Sequence, residues 1–91
     1  MQATGSVEAA PEQTAVALNV GDSGPEVVEL QDRLGQVWLY QGPGDGSFTA
    51  DVEEAVRAYQ RHMSIKDDPE GSYGPHTRRA LEATTAEPDR D

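Results

Sequence analysis

Gly46-Ser47-Phe48-Thr49-Ala50-Asp51-Val52-Glu53-Glu54-Ala55-Val56-Arg57-Ala58-Tyr59-Gln60 decides the reading of this chain. A tight turn carries one aromatic residue and runs straight into a helix. Val52, Ala55, Val56, Tyr59 and Met63 recur at helical spacing, so they share one face. Thr49 is placed to cap that helix, and Asp51 and Glu53 put negative charge at its positive end. The same design returns in Gly71-Ser72-Tyr73-Gly74-Pro75-His76-Thr77-Arg78-Arg79-Ala80-Leu81. Phe48 overlays on Tyr73, Ala55 on Ala80 and Val56 on Leu81. The repeated unit is a glycine turn, an aromatic plug and a short helix. One such helix has too little apolar surface to stand alone, so the copies must pack together.

Upstream, Leu18-Asn19-Val20 is an apolar lead-in expected to lie extended on the core. Gly21-Asp22-Ser23-Gly24 turns the chain, and Ser23-Gly24-Pro25-Glu26 fits a capping box with Pro25 in the first turn. The helix it opens is expected to reach about Val37. Val27, Leu30 and Leu34 form its buried stripe, which Val37 or Trp38 continues. Gln41-Gly42-Pro43-Gly44-Asp45-Gly46 is a turn-rich loop. The second helix is expected over about 50–63 and the third over about 75–84, opened by Gly74-Pro75. Ile65, between them, is a satellite core contact. Nothing alternates at period two, so little sheet is expected. The fold class is all-α, a compact three-helix bundle with glycine-rich turns. Residues 1–17, rich in Ala, Glu, Gln, Thr and Pro, read as a disordered linker, 18–85 as the domain and 86–91 as a disordered tail.

Composition narrows the function. The 91 residues carry a formal net charge of −10 and no cysteine. Such acidity argues against nucleic acid, which demands a basic footprint, and against docking on anionic lipid. No apolar run reaches membrane-spanning length, so no membrane insertion is expected in this segment. No signal peptide is visible at the start. Without cysteine there is neither a disulfide framework nor a thiolate metal site.

Candidate chemistry is sparse. His62 and His76 lie on different helices, without the spacing of a metal-binding pair, and both are expected at the surface. Asp67-Asp68-Pro69-Glu70 lacks the alternation of a calcium loop. No serine is paired with a credible histidine and carboxylate, so the chain reads as no enzyme, with no metal and no cofactor. Phe48 and Tyr59 read as core. Trp38 and Tyr40, at the end of the first stripe beside the glycine loop, are candidates for a partly exposed groove. Tyr73 is expected to plug the core while its hydroxyl reaches solvent. Gln31 and Gln60 each follow a core-facing residue, and their amides are expected to satisfy backbone groups that the glycine turns leave unpaired.

Three segments, in order, carry a family likeness. The first is Gly21, Gly24, Val27, Leu30-Gln31 and Leu34. The second is Tyr40, Gly42-Pro43, Asp45-Gly46-Ser47-Phe48, Ala55-Val56 and Tyr59-Gln60. The third is Gly71, Tyr73, Gly74, Thr77 and Leu81. Together they span about 20–82, and the chain resembles the type 1 peptidoglycan-binding domain. Thr49 and Val52 stand where that family more often has glycine and threonine, and both permit the fold. The resemblance implies a three-helix, non-catalytic module that anchors or orients a parent protein on the cell wall. It implies an extracytoplasmic, wall-associated location, with peptidoglycan glycan or stem peptide as partner. A monomer is expected. The surface it directs attention to is a groove between the first helix's N-terminal turn and the Tyr40–Asp45 loop. Asp22, Ser23, Trp38, Tyr40, Asp45 and Tyr73 are the expected contacts there. The competing reading is an acidic docking module for a basic protein surface, without wall affinity. Moderate salt would weaken such docking sharply while sparing apolar and hydrogen-bonded wall contacts.

Overall fold

In the computed structural model, residues 17–86 are described. Residues 1–16 of the expected linker and 87–91 of the expected tail lie outside them. Three helices follow one another: α1 (Pro25–Gln36), α2 (Ala50–His62) and α3 (Pro75–Thr84). The described residues hold no extended strand, only isolated bridges between Leu18 and Tyr73 and between Ser23 and Ser47.

The apolar stripes bury as their spacing dictates. Val27, Leu30 and Leu34 of α1 meet Val52, Ala55, Val56 and Tyr59 of α2 and Leu81 of α3. Phe48 and Tyr73 plug this core from the two turns, and Ile65 packs against it. Met63 departs from its expected place on the α2 stripe. It is the C-cap and half-exposed, because the helix has ended before the face comes round again.

The lead-in does more than lie on the core. Leu18 exchanges both backbone bonds with Tyr73, at 3.1 and 2.9 Å. Gly21 N–H then donates to Phe48 O, Phe48 N–H to Asp22 O, and Gly24 N–H to Gly46 O. One extended segment thus staples both turns. This pairing displaces the expected capping box. Ser23 is held extended opposite Ser47, the N-cap is Gly24 at φ 130°, and no side chain caps α1. Thr49 does occupy the N-cap of α2, but through its backbone alone.

α1 and α2 end alike. Beyond α1, Trp38 N–H donates to Gly35 O and Leu39 N–H to Leu34 O. Beyond α2, Ser64 N–H donates to Arg61 O and Ile65 N–H to Gln60 O. Both are Schellman closures, whose pivot residue must be left-handed and is usually glycine. Here the pivots are Trp38 at φ 66° and Ser64 at φ 57°. Trp38 therefore turns away from the stripe instead of continuing it, and its indole is 79 % exposed.

Candidate functional site

Two glutamines organise the loops that follow α1 and α2. Gln60 is 2 % exposed. Its amide nitrogen faces Pro69 O at 3.1 Å, Ser72 O at 3.0 Å and Thr77 Oγ1 at 3.0 Å, and its oxygen accepts Gly71 N–H at 2.8 Å. Gln31, equally buried, repeats the arrangement one unit earlier. Its nitrogen faces Ser47 O at 3.0 Å and Asp45 Oδ1 at 3.1 Å, and its oxygen accepts Gly46 N–H at 2.8 Å. Both amides satisfy backbone groups that glycine turns leave unpaired, as their positions in the sequence imply.

The repeats differ in one respect that creates a surface. Gln31 and Gly46 are 15 residues apart, Gln60 and Gly71 only 11. Of the four extra residues, three lie before the helix closure, since Trp38 follows Gln31 by seven and Ser64 follows Gln60 by four. α1 is thereby extended by almost a turn, and Gly35 and Gln36 sit in that extension. Between it and the returning loop lies an open groove of about 570 Å³, lined by Val28, Gln31, Asp32, Gly35, Gln36, Tyr40, Gln41, Gly42 and Gly44. The loop is a ridge: Tyr40, Gln41 and Gly42 also line a groove of about 340 Å³ on the α2 side, with Asp51 and Glu54.

Tyr40 stiffens the ridge. Its hydroxyl donates to Pro43 O at 2.8 Å, and a Cβ on Gly42 would sit 2.7 Å from that hydroxyl, so any other residue there would displace the ring. Partial burial, and the nearby Asp45 charge, push the Tyr40 phenol above its ordinary pKa. Asp45 moves the other way. The Ser47 N–H, then the Gln31 amide, hold its carboxyl below the usual range, so it stays ionised.

The expected contact residues do not all meet. Tyr40 lines the groove, and Asp45, outside the lining, accepts from the Gln31 amide. Trp38 stands exposed on the link between α1 and the ridge, outside the lining. Asp22 and Ser23 lie exposed at the start of α1, whereas the groove runs along the middle and end of that helix. Tyr73 is 4 % exposed, so its ring plugs the core rather than lining the groove, and burial drives its phenol strongly upward. Asp32, Gly35, Gln36 and Gln41 enter the lining without having been singled out. A signal existed in Gly35, a glycine inside a helix, which leaves that stretch of the groove wall without a side chain.

Asp68, in the acidic loop, is a structural group. Its carboxylate is buried at the start of α3, accepting from Thr77 N–H at 2.6 Å and pairing with His76 Nδ1 at 3.1 Å. Burial alone would raise its pKa. The Thr77 N–H and hydroxyl, with His76, outweigh that and lower it. His62 and His76 are exposed, and among the described residues no three metal-binding side chains converge. No described helix is long and apolar enough to cross a membrane.

Comparison with known proteins agrees with this architecture. The family model for the peptidoglycan binding domain matches residues 23–81. A spore cortex-lytic enzyme of Halalkalibacterium halodurans is 40 % identical over 65 residues, which cover 71 % of this chain and 19 % of that protein. The chain thus spans about a fifth of the length of that relative. The crystal structure of the SleB N-terminal domain superposes with a TM-score of 0.73 at 32 % identity, covering 80 % of this chain and 97 % of that one. An L,D-transpeptidase from Xylanimonas cellulosilytica gives a TM-score of 0.69 at 30 % identity, covering 91 % of this chain and 39 % of that one. With three helices, both loop-bracing glutamines and all three sequence segments in place, the chain belongs to the peptidoglycan binding domain family.

Proposed function

We propose that the groove between α1 and the Gln41–Gly44 ridge is where this wall-binding module holds peptidoglycan, noncovalently and without catalysis. The observation that carries the reading is the ridge itself. It faces the extension of α1 that the second repeat lacks, and it is braced from beneath by Gln31 and from the side by Tyr40. A rigid, partly apolar groove with a few placed polar groups is the usual form of a small-ligand site. Trp38, exposed at the end of the ridge, extends the contact surface. The module acts as a monomer, in an extracytoplasmic setting, and tethers or orients the longer protein of which it is a part. Affinity per module is modest, and residence comes from tethering and from the polymeric ligand.

The test is co-sedimentation with purified, teichoic-acid-stripped sacculi at low and moderate salt. Wild type pellets under both conditions. A Trp38→Ala/Tyr40→Ala double variant, shown folded by circular dichroism, binds at least about tenfold more weakly, the loss of two aromatic contacts. A folded double variant that binds like wild type removes this surface from consideration. A wild type that never pellets removes the ligand. Absence of released muropeptides on incubation with sacculi checks the non-catalytic part.

A further inference from the structure

The charge of this domain is divided unevenly, and the division follows the groove. Residues 19–56, which build α1, the ridge and the start of α2, hold eight carboxylates and one cation, Arg33. That arginine is buried and fully occupied: Nη2 meets Glu29 Oε2 at 2.8 Å and Nη1 donates to Thr85 Oγ1 at 2.8 Å. Residues 57–86 hold Arg57, Arg61, Lys66, Arg78 and Arg79 against four carboxylates. The groove's lining, built from the acidic segment, holds no cation. Asp32 is the charged residue of its lining. One Asp32 oxygen accepts from Gln36 Nε2 at 3.0 Å, and among the described residues the other has no protein partner. Beside it, Val28 is 41 % exposed, and the Tyr40 ring faces the same space.

This pattern discriminates among the parts of the wall polymer. N-acetylated sugars are neutral and indifferent to it. The lactyl and peptide carboxylates are repelled, because no guanidinium or ammonium is there to receive them. The cationic group that the stem peptide offers is the side-chain amine of its diamino acid, wherever that amine is not consumed in a cross-link. Resting on the reading of this groove as the wall-binding site, we propose that it takes an uncross-linked stem peptide by that ammonium. The ammonium sits on the open oxygen of Asp32, with the methylene chain of the diamino acid along Val28 and Tyr40. The module thereby distinguishes loosely cross-linked from heavily cross-linked wall.

The experiment compares native sacculi with sacculi whose free amines have been acetylated with acetic anhydride, by co-sedimentation of the whole chain. Wild type is expected to bind acetylated sacculi about fivefold more weakly. Asp32→Asn, whose amide oxygen still accepts from Gln36, is expected to bind native sacculi about fivefold more weakly and to be insensitive to acetylation. Glu82→Gln, on α3 and away from the groove, removes the same charge and retains the full response to acetylation. Equal binding of wild type to native and acetylated sacculi overturns the ammonium proposal while leaving wall binding intact. So does a Glu82→Gln variant that loses the response. Failure to bind native sacculi at all overturns the wall reading on which the proposal rests. A single charged contact predicts only a severalfold loss in moderate salt, which separates it from docking on a basic protein surface.

Discussion

Replacing Gln60 by alanine removes more than any surface change in this domain. The amide nitrogen has two hydrogens for three acceptors, and the amide oxygen holds the buried Gly71 N–H. Without the side chain, Gly71 N–H remains in the interior without its partner, while Ser72 O keeps the Gly74 N–H. One orphaned buried donor costs about 1–3 kcal/mol. The void left by a buried side chain adds about 1–2 kcal/mol, the lower part of the large-to-small range because the loop can settle. The sum is about 2–5 kcal/mol, against about 4–10 kcal/mol for a folded unit of this size. Urea unfolding followed by far-ultraviolet circular dichroism measures it directly. Gln60→Glu sharpens the test. It keeps the acceptor for Gly71 but turns a second oxygen toward the carbonyls of Pro69 and Ser72, so it is expected to be no better than alanine. A loss below about 1 kcal/mol for Gln60→Ala, well under one orphaned donor plus its void, would refute the bracing argument. So would wild-type stability in Gln60→Glu.

Gln31→Ala is expected to cost less, about 2 kcal/mol, because Asp45 and Ser47 lie at the surface and water replaces part of the amide; parallel urea titrations give the comparison. Trp38→Gly is expected to be about 1 kcal/mol more stable than Trp38→Ala, since the pivot at φ 66° penalises any Cβ and the indole buries little, as thermal unfolding of the two variants reads out. Gly46→Ala is expected to lose at least about 1 kcal/mol, because φ is 80° and the new Cβ would lie 3.0 Å from Val28 Cγ2 and 3.2 Å from Gly24 O. Asp68→Ala should cost about 1–2 kcal/mol by uncapping α3. Because folding lowers the Asp68 pKa, its carboxylate contributes fully above the ordinary value of 3.8, and that contribution disappears as pH falls through the lowered value. Asp68→Asn should therefore flatten the acid limb of the stability curve below pH 3.8, measured by urea midpoints across acid pH.

The frame was readable in the chain because it rests on local rules. Helical spacing of Val52, Ala55, Val56 and Tyr59 placed α2, and proline after glycine opened α1 and α3 where the structure opens them. The two glutamines were readable because glycine turns leave backbone groups that something nearby must satisfy. The misreadings came where a contact between distant segments overrode a local preference. Ser23 has the composition of a cap, but pairing with Ser47 holds it extended. Trp38 falls on the apolar stripe, but the helix closes one residue earlier and swings it outward. Asp68 looked like one more acid in a polar loop, and its role depends on the start of α3, eight or nine residues on. The surface expected from the sequence lies at the N-terminal turn of α1, whereas the groove of the structure runs along the middle and end of that helix. Its position depends on how far α1 extends past Gln31, a difference that appears only when the two repeats are aligned through their glutamines.

The glutamine brace has a consequence for how such a domain changes its specificity. Gln31 anchors the chain at Gly46 and Ser47 whatever the intervening residues do. The stretch from Leu39 to Gly44 is therefore an interchangeable part between two fixed posts. Doubling its length would raise the closure cost by only about 0.6 kcal/mol, less than one good hydrogen bond. Gln60 provides a second pair of posts, around Lys66–Glu70, but there Asp68 is committed to the start of α3. One small scaffold can accordingly vary its first loop while the second stays fixed, so a new ligand specificity is reachable by loop exchange without repacking the core.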